Sequence, residues 1–379
     1  MIDRERLVNE FLALARTSSV SRREGEVARR LVSTLEGMGA QVELDDAGHR
    51  VGGDTGNLLA RFPASASTAA PFLLSAHMDT VVPGENVRPV LRDDVIRTDG
   101  TTVLGGDDKS GIVAILESIR VVQEQRIPHG PLDVLFTICE ETGLLGAKHF
   151  DVRRLRARTG LVLDCDGVDE LITRAPAANK LAVTVHGLEA HAGLCPERGV
   201  SAIAVAAEAI AGMRLGRVDA DTTANIGFIE GGLAINIVPN RVTVRGETRS
   251  LSPEKLDAQT AHMTECFERA AARHGVVLED GPHRARVETK VTRDYERLRI
   301  ADDAPVVGLL RDAARALGRP LRTRSSGGAS DANVLNGHGL EVANLGCGMR
   351  DIHTVNEWID VKDMVATAQL LVETLRRHA

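Results

Sequence analysis

Three short apolar runs, each closing on acidic or histidine residues, constrain this chain more than any other feature. Pro71-Phe72-Leu73-Leu74-Ser75-Ala76 ends at His77-Met78-Asp79, residues 132–138 end at Glu140-Glu141, and residues 161–163 end at Asp164-Cys165-Asp166. Such runs read as strands. Between the first two lies a polar, glycine-rich stretch and then a helix pattern over residues 109–123, with Ile112, Val113, Ile115, Leu116 and Ile119 on one side. Strands alternating with helices imply an α/β fold with a mainly parallel sheet. Open α/β sheets bind ligands beyond the C-terminal ends of their strands, which is where these polar residues fall.

The flanking sequence extends the pattern. Ser21-Arg22-Arg23-Glu24 has capping-box form and predicts a helix running to Met38, stopped by Gly39. Strands are expected at 41–44 and 57–62. From about residue 179 the style changes. Leu181-Ala182-Val183-Thr184-Val185-His186 alternates as a half-buried strand, a helix follows at 201–213, strands at 224–229 and 241–247, a long helix at 253–274 and a strand within 285–291. That order, β-α-β-β-α-β, is the ferredoxin-like split arrangement. It predicts a small α+β domain at 179–294, inserted between two parts of the α/β domain at 1–178 and 295–379. A helix at 304–317, a strand at 341–345 and a closing helix at 361–377 complete the chain.

Composition excludes several classes. The 379 residues carry 46 basic and 53 acidic side chains, a net charge of −7, which argues against a general nucleic-acid binder. One Trp, one Tyr and seven Phe leave little for base stacking. Five scattered cysteines without a CxxC pair form neither a disulfide framework nor a thiolate zinc site, and point to a reducing cytoplasm. The charged N-terminus does not read as a signal sequence, and no run of 18 apolar residues predicts a membrane span.

Each polar cluster has an ordinary explanation when taken alone. His77 and Asp79 share a strand face and would pass as a polar pair. Asp107-Asp108, after Gly105-Gly106, would serve as a cap at a helix start. Glu140-Glu141 would be a solvated acidic turn, Asp164-Cys165-Asp166-Gly167 an Asp-Gly turn, and His353 a structural histidine. Their joint occurrence beyond strand ends is what those explanations leave over. Imidazole and carboxylate donors suit Zn²⁺ and also Mn²⁺ or Co²⁺. Two such ions sharing one carboxylate would activate a water and clamp a carbonyl. Of two adjacent glutamates, one can bind metal while the other takes the proton. Asp164 and Asp166 alternate onto one face, so either is a candidate ligand.

The set His77-Met78-Asp79-Thr80-Val81, Gly105-Gly106-Asp107-Asp108-Lys109-Ser110-Gly111, Glu140-Glu141-Thr142-Gly143, Asp164-Cys165-Asp166-Gly167 and Ile352-His353-Thr354-Val355-Asn356-Glu357 resembles the co-catalytic zinc exopeptidases and deacylases. With Ala190-His191-Ala192-Gly193 it is most similar to their peptidase T-like branch. The resemblance spans nearly the whole chain. It implies two Zn²⁺ per subunit, with Mn²⁺ or Co²⁺ as substitutes. It further implies that His77, Asp107, Glu141, Asp166 and His353 are ligands, with Asp107 bridging, Asp79 orienting the His77 ring and Glu140 the general base. The resemblance implies Asp166 rather than Asp164, because the family's ligand sits last before the turn. A cis Asp107–Asp108 peptide is expected on the same basis.

The inserted domain resembles the family's lid and dimerisation domain. The likeness implies a homodimer in which His191 reaches a neighbouring subunit's site and polarises the scissile carbonyl. Asn236, Arg249 and Gly328 match substrate-contacting positions; as bland alternatives, Asn236 is a turn residue before Pro239, Arg249 a solvated strand-end cation and the loop at Gly328 a helix cap. One departure stands out. Ser326-Gly327-Gly328-Ala329-Ser330-Asp331 has no Arg where peptidase T carries Arg-Gly-Gly-Thr-Asp, which weakens the case for recognition of a free peptide C-terminus. The expected function is amide hydrolysis in short peptides by a tripeptidase-like aminopeptidase. The rivals are an N-acyl- or N-carbamoyl-amino-acid amidohydrolase using the same residues and, more remotely, a metal-free scaffold. The expected partners are a short peptide or acyl-amino acid and a second copy of the chain, with neither nucleic acid nor membrane.

Overall fold

The computed structural model describes residues 1–379. The chain forms two compact units, one of Met1–Ala175 with Leu298–Ala379, the other of Pro176–Arg297. The boundaries lie three residues outside the 179–294 expected from the change of pattern.

The first unit is built on a nine-stranded mixed sheet. Its strands run in spatial order Gln41–Leu44, Leu58–Phe62, Leu132–Thr137, Phe72–His77, Thr159–Val162, Glu341–Leu345, Glu170–Ala175 and Leu298–Arg299, and Arg322–Ser325 also pairs with Glu170–Ala175. The central strands are parallel: Phe72–His77 lies between Leu132–Thr137 and Thr159–Val162, and Glu341–Leu345 runs alongside the latter. Every residue of Phe72–His77 and of Leu132–Thr137 is buried, as expected of parallel strands covered on both faces. Each fully buried Leu or Phe there contributes about 1.5–3 kcal/mol. The helix Gly106–Glu124 is buried almost all round, so it is a core helix and not a surface amphipath. Because the four central strands share a direction, their C-terminal ends open on one edge, and His77, Glu140 and Asp164 leave the sheet there.

The second unit is a five-stranded antiparallel sheet in the order Gly216–Arg217, Thr222–Gly231, Arg241–Ser250, Ala177–His186 and Arg286–Tyr295. Leu181, Val183 and Val185 alternate into a core with Val242, Val244, Val205, Met263 and Phe267, the last three from the helices Ala202–Ala211 and Pro253–Arg273. The intervening residues form an open, polar face. No helix is long and apolar enough to cross a membrane.

One expectation fails locally. The capping box at Ser21 does not form: the helix runs Gly25–Gly37 with Glu24 at its N-cap and no side-chain cap bond. The Ser21 hydroxyl instead donates to Asp79 Oδ2 at 2.6 Å, a partner 58 residues away that no local pattern reveals. The short helix Ala47–Val51 and the four-stranded sheet of Val90–Arg92, Val95–Arg97, Met349–Arg350 and Trp358–Asp360 were not anticipated, whereas Ser330 caps the helix Asp331–Gly337, in line with the helix-cap alternative for that loop.

Candidate metal centre

His77 closes its strand with its ring fixed from behind. Nδ1 donates to the Asp79 backbone carbonyl at 2.9 Å, with the Asp79 carboxylate at 3.4 Å. This leaves Nε2 facing Asp107 Oδ1 at 2.9 Å and Asp164 Oδ1 at 3.9 Å. The Asp79 carboxylate is spent chiefly elsewhere. It accepts the Glu140 and Glu141 backbone N–H groups at 2.9 and 3.2 Å as well as the Ser21 hydroxyl. It therefore ties the histidine strand to the loop that carries both glutamates.

Asp107 sits between two donor groups. Its other oxygen lies 3.1 Å from His353 Nε2, which is also 3.0 Å from Glu141 Oε1. Ligand atoms of His77, Asp107 and Asp164 fall within 4.8 Å of one another, as do those of Asp107, Glu141 and His353. The Asp107–Asp108 peptide is cis. Asp108 faces away from this pair and accepts the His77 and Gly111 N–H groups at 3.1 and 3.2 Å, fastening the helix start to the strand end. Gly111 is obligatory at that junction, since a Cβ there would lie 2.4 Å from the Leu163 carbonyl and from Asp108 Oδ1.

Asp166 lines a cavity with Asp107, Glu141, Asp164 and His353 but stands outside both donor clusters: it is exposed and pairs with Arg324. The residue grouped with His77 and Asp107 is Asp164, where the sequence preferred Asp166. Leu163 N–H donates to Ser75 O, and Asn344 clamps the Asp164 backbone from both sides, its Oδ1 accepting the Asp164 N–H at 2.9 Å and its Nδ2 donating to the Asp164 carbonyl at 2.6 Å. The sheet edge thus extends past Val162 and carries Asp164 to the centre, while Asp166 lies in the turn beyond.

The electrostatics fit a cation cluster. Burial pushes the Glu140, Asp164 and Asp108 carboxyls well above the usual range, reinforced at Glu140 by the Asp164 charge and at Asp164 by Asp107. Burial also raises Glu141. Burial disfavours the charged His77 ring, but hydrogen bonds to Asp107 and Asp79 outweigh it and raise its pKa well above the ordinary value. Contacts to Asp107 and Glu141 raise His353 to about 10. Without positive charge, such crowded acids cannot all ionise out of water. Two divalent ions would resolve the conflict, and nitrogen with carboxylate oxygen is the donor chemistry that borderline metals accept.

The profile of peptidase family M20/M25/M40 matches residues 73–377. The chain belongs to that family. It is 41% identical to the Bacillus subtilis protein YqjE, described as uncharacterized, over all of both chains. It is similar in structure to the aminopeptidase PepT of Bacillus cereus, with 42% identity, a TM-score of 0.89 and coverage of 100% of this chain and 99% of that one. A tripeptidase of Staphylococcus aureus gives 37% identity and a TM-score of 0.91 over 99% and 98%.

Within this M20 peptidase fold, sequence reasoning gave no role to two supporting residues of the motifs it singled out. The buried Glu357 carboxylate accepts the N–H groups of Leu104, Gly105 and Asp107 at 2.7, 2.8 and 2.9 Å. It shapes the loop that aims Asp107. Burial raises its pKa to about 7 against those donors. Its signal was its place in the Thr354–Glu357 stretch, but its partners lie some 250 residues upstream. Asp331 is buried and accepts from Thr137 Oγ1 at 2.5 Å, at the end of the strand that leads to Glu140.

Gly328 lies in the loop lining the same cavity as Asp107, Glu140, Glu141, Asp164 and His353, about 290 Å³ in volume. Its N–H donates to Ser326 Oγ at 3.0 Å. His191, Asn236 and Arg249 belong to the second unit. His191 is exposed, and its Nδ1 accepts the Gly193 and Leu194 N–H groups, both at 3.1 Å, which places the proton on Nε2. The Asn236 carbonyl accepts the Ala192 N–H at 2.9 Å, so these two candidates are neighbours. Arg249 is held by Glu247 through two bonds of 2.8 and 3.1 Å.

Proposed function

We propose that this protein is a two-metal aminopeptidase of short peptides, with tripeptides its leading substrate class. The observation that carries the reading is the pair of donor sets that share Asp107, with the Glu140 carboxylate lining the same cavity. The aminopeptidase and tripeptidase named among its relatives support the substrate class. His77, Asp107 and Asp164 would hold one ion, and Asp107, Glu141 and His353 the other. Bound there, zinc, manganese or cobalt would supply Lewis acidity toward a water and the scissile carbonyl.

The chain's own residues supply the proton transfers. Glu140, buried and raised in pKa, takes a proton from the attacking water at its carboxylate and gives it to the departing amine. His191 offers Nε2–H as a donor to the developing oxyanion. We assign that role to His191 of a second copy in a homodimer, on the strength of the family likeness. Asn236, Arg249 and Gly328 are proposed substrate contacts. Five unpaired cysteines support a reducing, cytoplasmic setting.

The deciding experiment supplies Zn²⁺, Mn²⁺ and Co²⁺ in turn to purified protein and compares tripeptides with acetyl-, succinyl- and carbamoyl-amino acids. Preference for tripeptides supports the reading, and preference for the acyl or carbamoyl compounds replaces it with the amidohydrolase alternative. For the dimer, an inactive Glu140→Ala protein mixed with an inactive His191→Ala protein should recover activity through mixed pairs. Sedimentation as a monomer would overturn it.

A further inference from the structure

The open sheet face of the second unit carries a groove of about 640 Å³. Its floor includes Ala182, on the strand Ala177–His186 that lies between Arg241–Ser250 and Arg286–Tyr295. On one neighbouring strand Ala182 is paired with Arg245, and on the other with Lys290. The two cations therefore stand across a residue with almost no side chain, two strand spacings apart, roughly 9–10 Å at the backbone. An oxyanion set on Ala182 would be within reach of both.

Local construction favours the arrangement. The pairing of Thr222–Gly231 with Arg241–Ser250 shifts between Ile226 and Phe228, and Phe228 falls opposite Arg245. Without that bulge Phe228 would fall opposite Val244, on the helix-covered side. Bulges re-aim side chains in this way. The Arg245 guanidinium lies 3.8 Å over the Phe228 ring, which limits the positions its charge can adopt.

The charges around the groove are unequal in their engagement. Lys180 is paired with Asp294 at 2.9 Å, and Glu247 is committed to Arg249. Glu288, also on this face, is taken by Arg286. Glu230 lies one row along, opposite Thr243, and does not line the groove. Arg245 and Lys290 make no ion pair with any carboxylate. Two unneutralised cations facing one floor in a protein of net charge −7 form a local reversal of the overall field.

We propose that this groove is an oxyanion site, taking a small doubly charged anion of the phosphate or dicarboxylate class between Arg245 and Lys290. The site lies within the second unit and does not depend on the proposed peptidase reaction.

Equilibrium dialysis with labelled inorganic phosphate and, separately, succinate tests it on the metal-loaded full chain. The expected result is one saturable site per chain for at least one probe, weakened about tenfold or more in Arg245→Ala/Lys290→Ala protein of equal metal content, as loss of charge-assisted bonds requires. Lys290→Glu, which leaves Arg245 on Phe228, should abolish it too. Arg286→Ala/Glu288→Ala, removing a mutually neutralised pair on the same face, should leave it unchanged. Phosphate binding the tighter assigns phosphate chemistry, and succinate binding the tighter assigns carboxylate chemistry. No saturable site, or equal binding by wild type and both groove variants, overturns the proposal.

Discussion

The C-terminal edge of the first unit's sheet and the open face of the second unit's sheet are both rich in charge, yet their charges are held in opposite ways. At the edge, Asp107, Asp108, Glu140 and His77 are buried, and most of their hydrogen bonds come from backbone groups or from each other. On the open face, Lys180, Arg245 and Lys290 are exposed. Where the face carries ion pairs, each joins one side chain to another. Burying charge is costly unless something compensates it, so a fold that buries this many acids does so for a ligand. Exposed charge is cheap and tolerates substitution.

The sharpest break in that comparison is at Glu140. Glu140→Gln keeps the shape and removes the base, and kcat should fall by ~10³-fold, within the usual range for a positioned acid–base group. Metal content, read by atomic absorption, should stay the same. A variant that keeps most of its activity would end the assignment of Glu140 as base.

A smaller but more discriminating contrast separates Asp164 from Asp166. Asp164→Asn should lower metal affinity at least about 100-fold, at or beyond the ~10–100-fold typical of groups one step removed from a metal. Asp166→Asn, at an exposed residue paired with Arg324, should change affinity by less than about threefold, as expected of a surface ion pair. Chelator competition on both variants gives the answer, and the reverse order would restore the expectation drawn from the sequence.

Next comes Glu357, which touches no candidate ligand atom. Glu357→Gln keeps the size but turns one acceptor toward the Leu104, Gly105 and Asp107 N–H groups into a donor. The loop should loosen, with metal affinity down by about tenfold. Equal affinity with a lower melting temperature would make Glu357 purely structural.

These contrasts also show how far the sequence could be read. Strand ends were legible, because apolar runs stop where the sheet stops. The change of pattern was legible for the same reason, through the switch from continuous to alternating burial at Leu181–His186. What stayed hidden was which of two like residues faces inward. Asp164 and Asp166 share a parity, and distant partners separate them: the clamp from Asn344, 180 residues from Asp164, and the pairing of Arg324 with Asp166. Ser21 misled by fitting a local motif while its hydroxyl served Asp79. Local patterns report nearest-neighbour energetics, and this centre is assembled from distant partners.

Acidity sets a graded effect at the same edge. Contacts with Asp107 and Glu141 raise His353 to about 10 in the metal-free protein, so it is charged at neutral pH. A metal must displace that proton, and affinity should rise about tenfold per pH unit per proton released. Competition titrations at pH 6, 7 and 8 check the slope. The metal-free fold should respond in the opposite sense. The His353 contribution is complete below the ordinary histidine value of about 6.5 and is lost as pH climbs toward 10. A flat affinity profile would mean that His353 is already neutral.

The smallest effect belongs to the open face. Lys180 and Asp294 pair at 2.9 Å, with the lysine side chain 55% exposed and the aspartate 13%. Exposed pairs contribute about 0–1 kcal/mol because water and salt already serve both partners. Lys180→Ala should therefore lower stability by no more than about 1 kcal/mol and leave metal affinity unchanged. A denaturant titration that shows a loss several times larger would place this face under the same constraint as the buried edge, and the contrast between the two would then lie in geometry alone and not in burial.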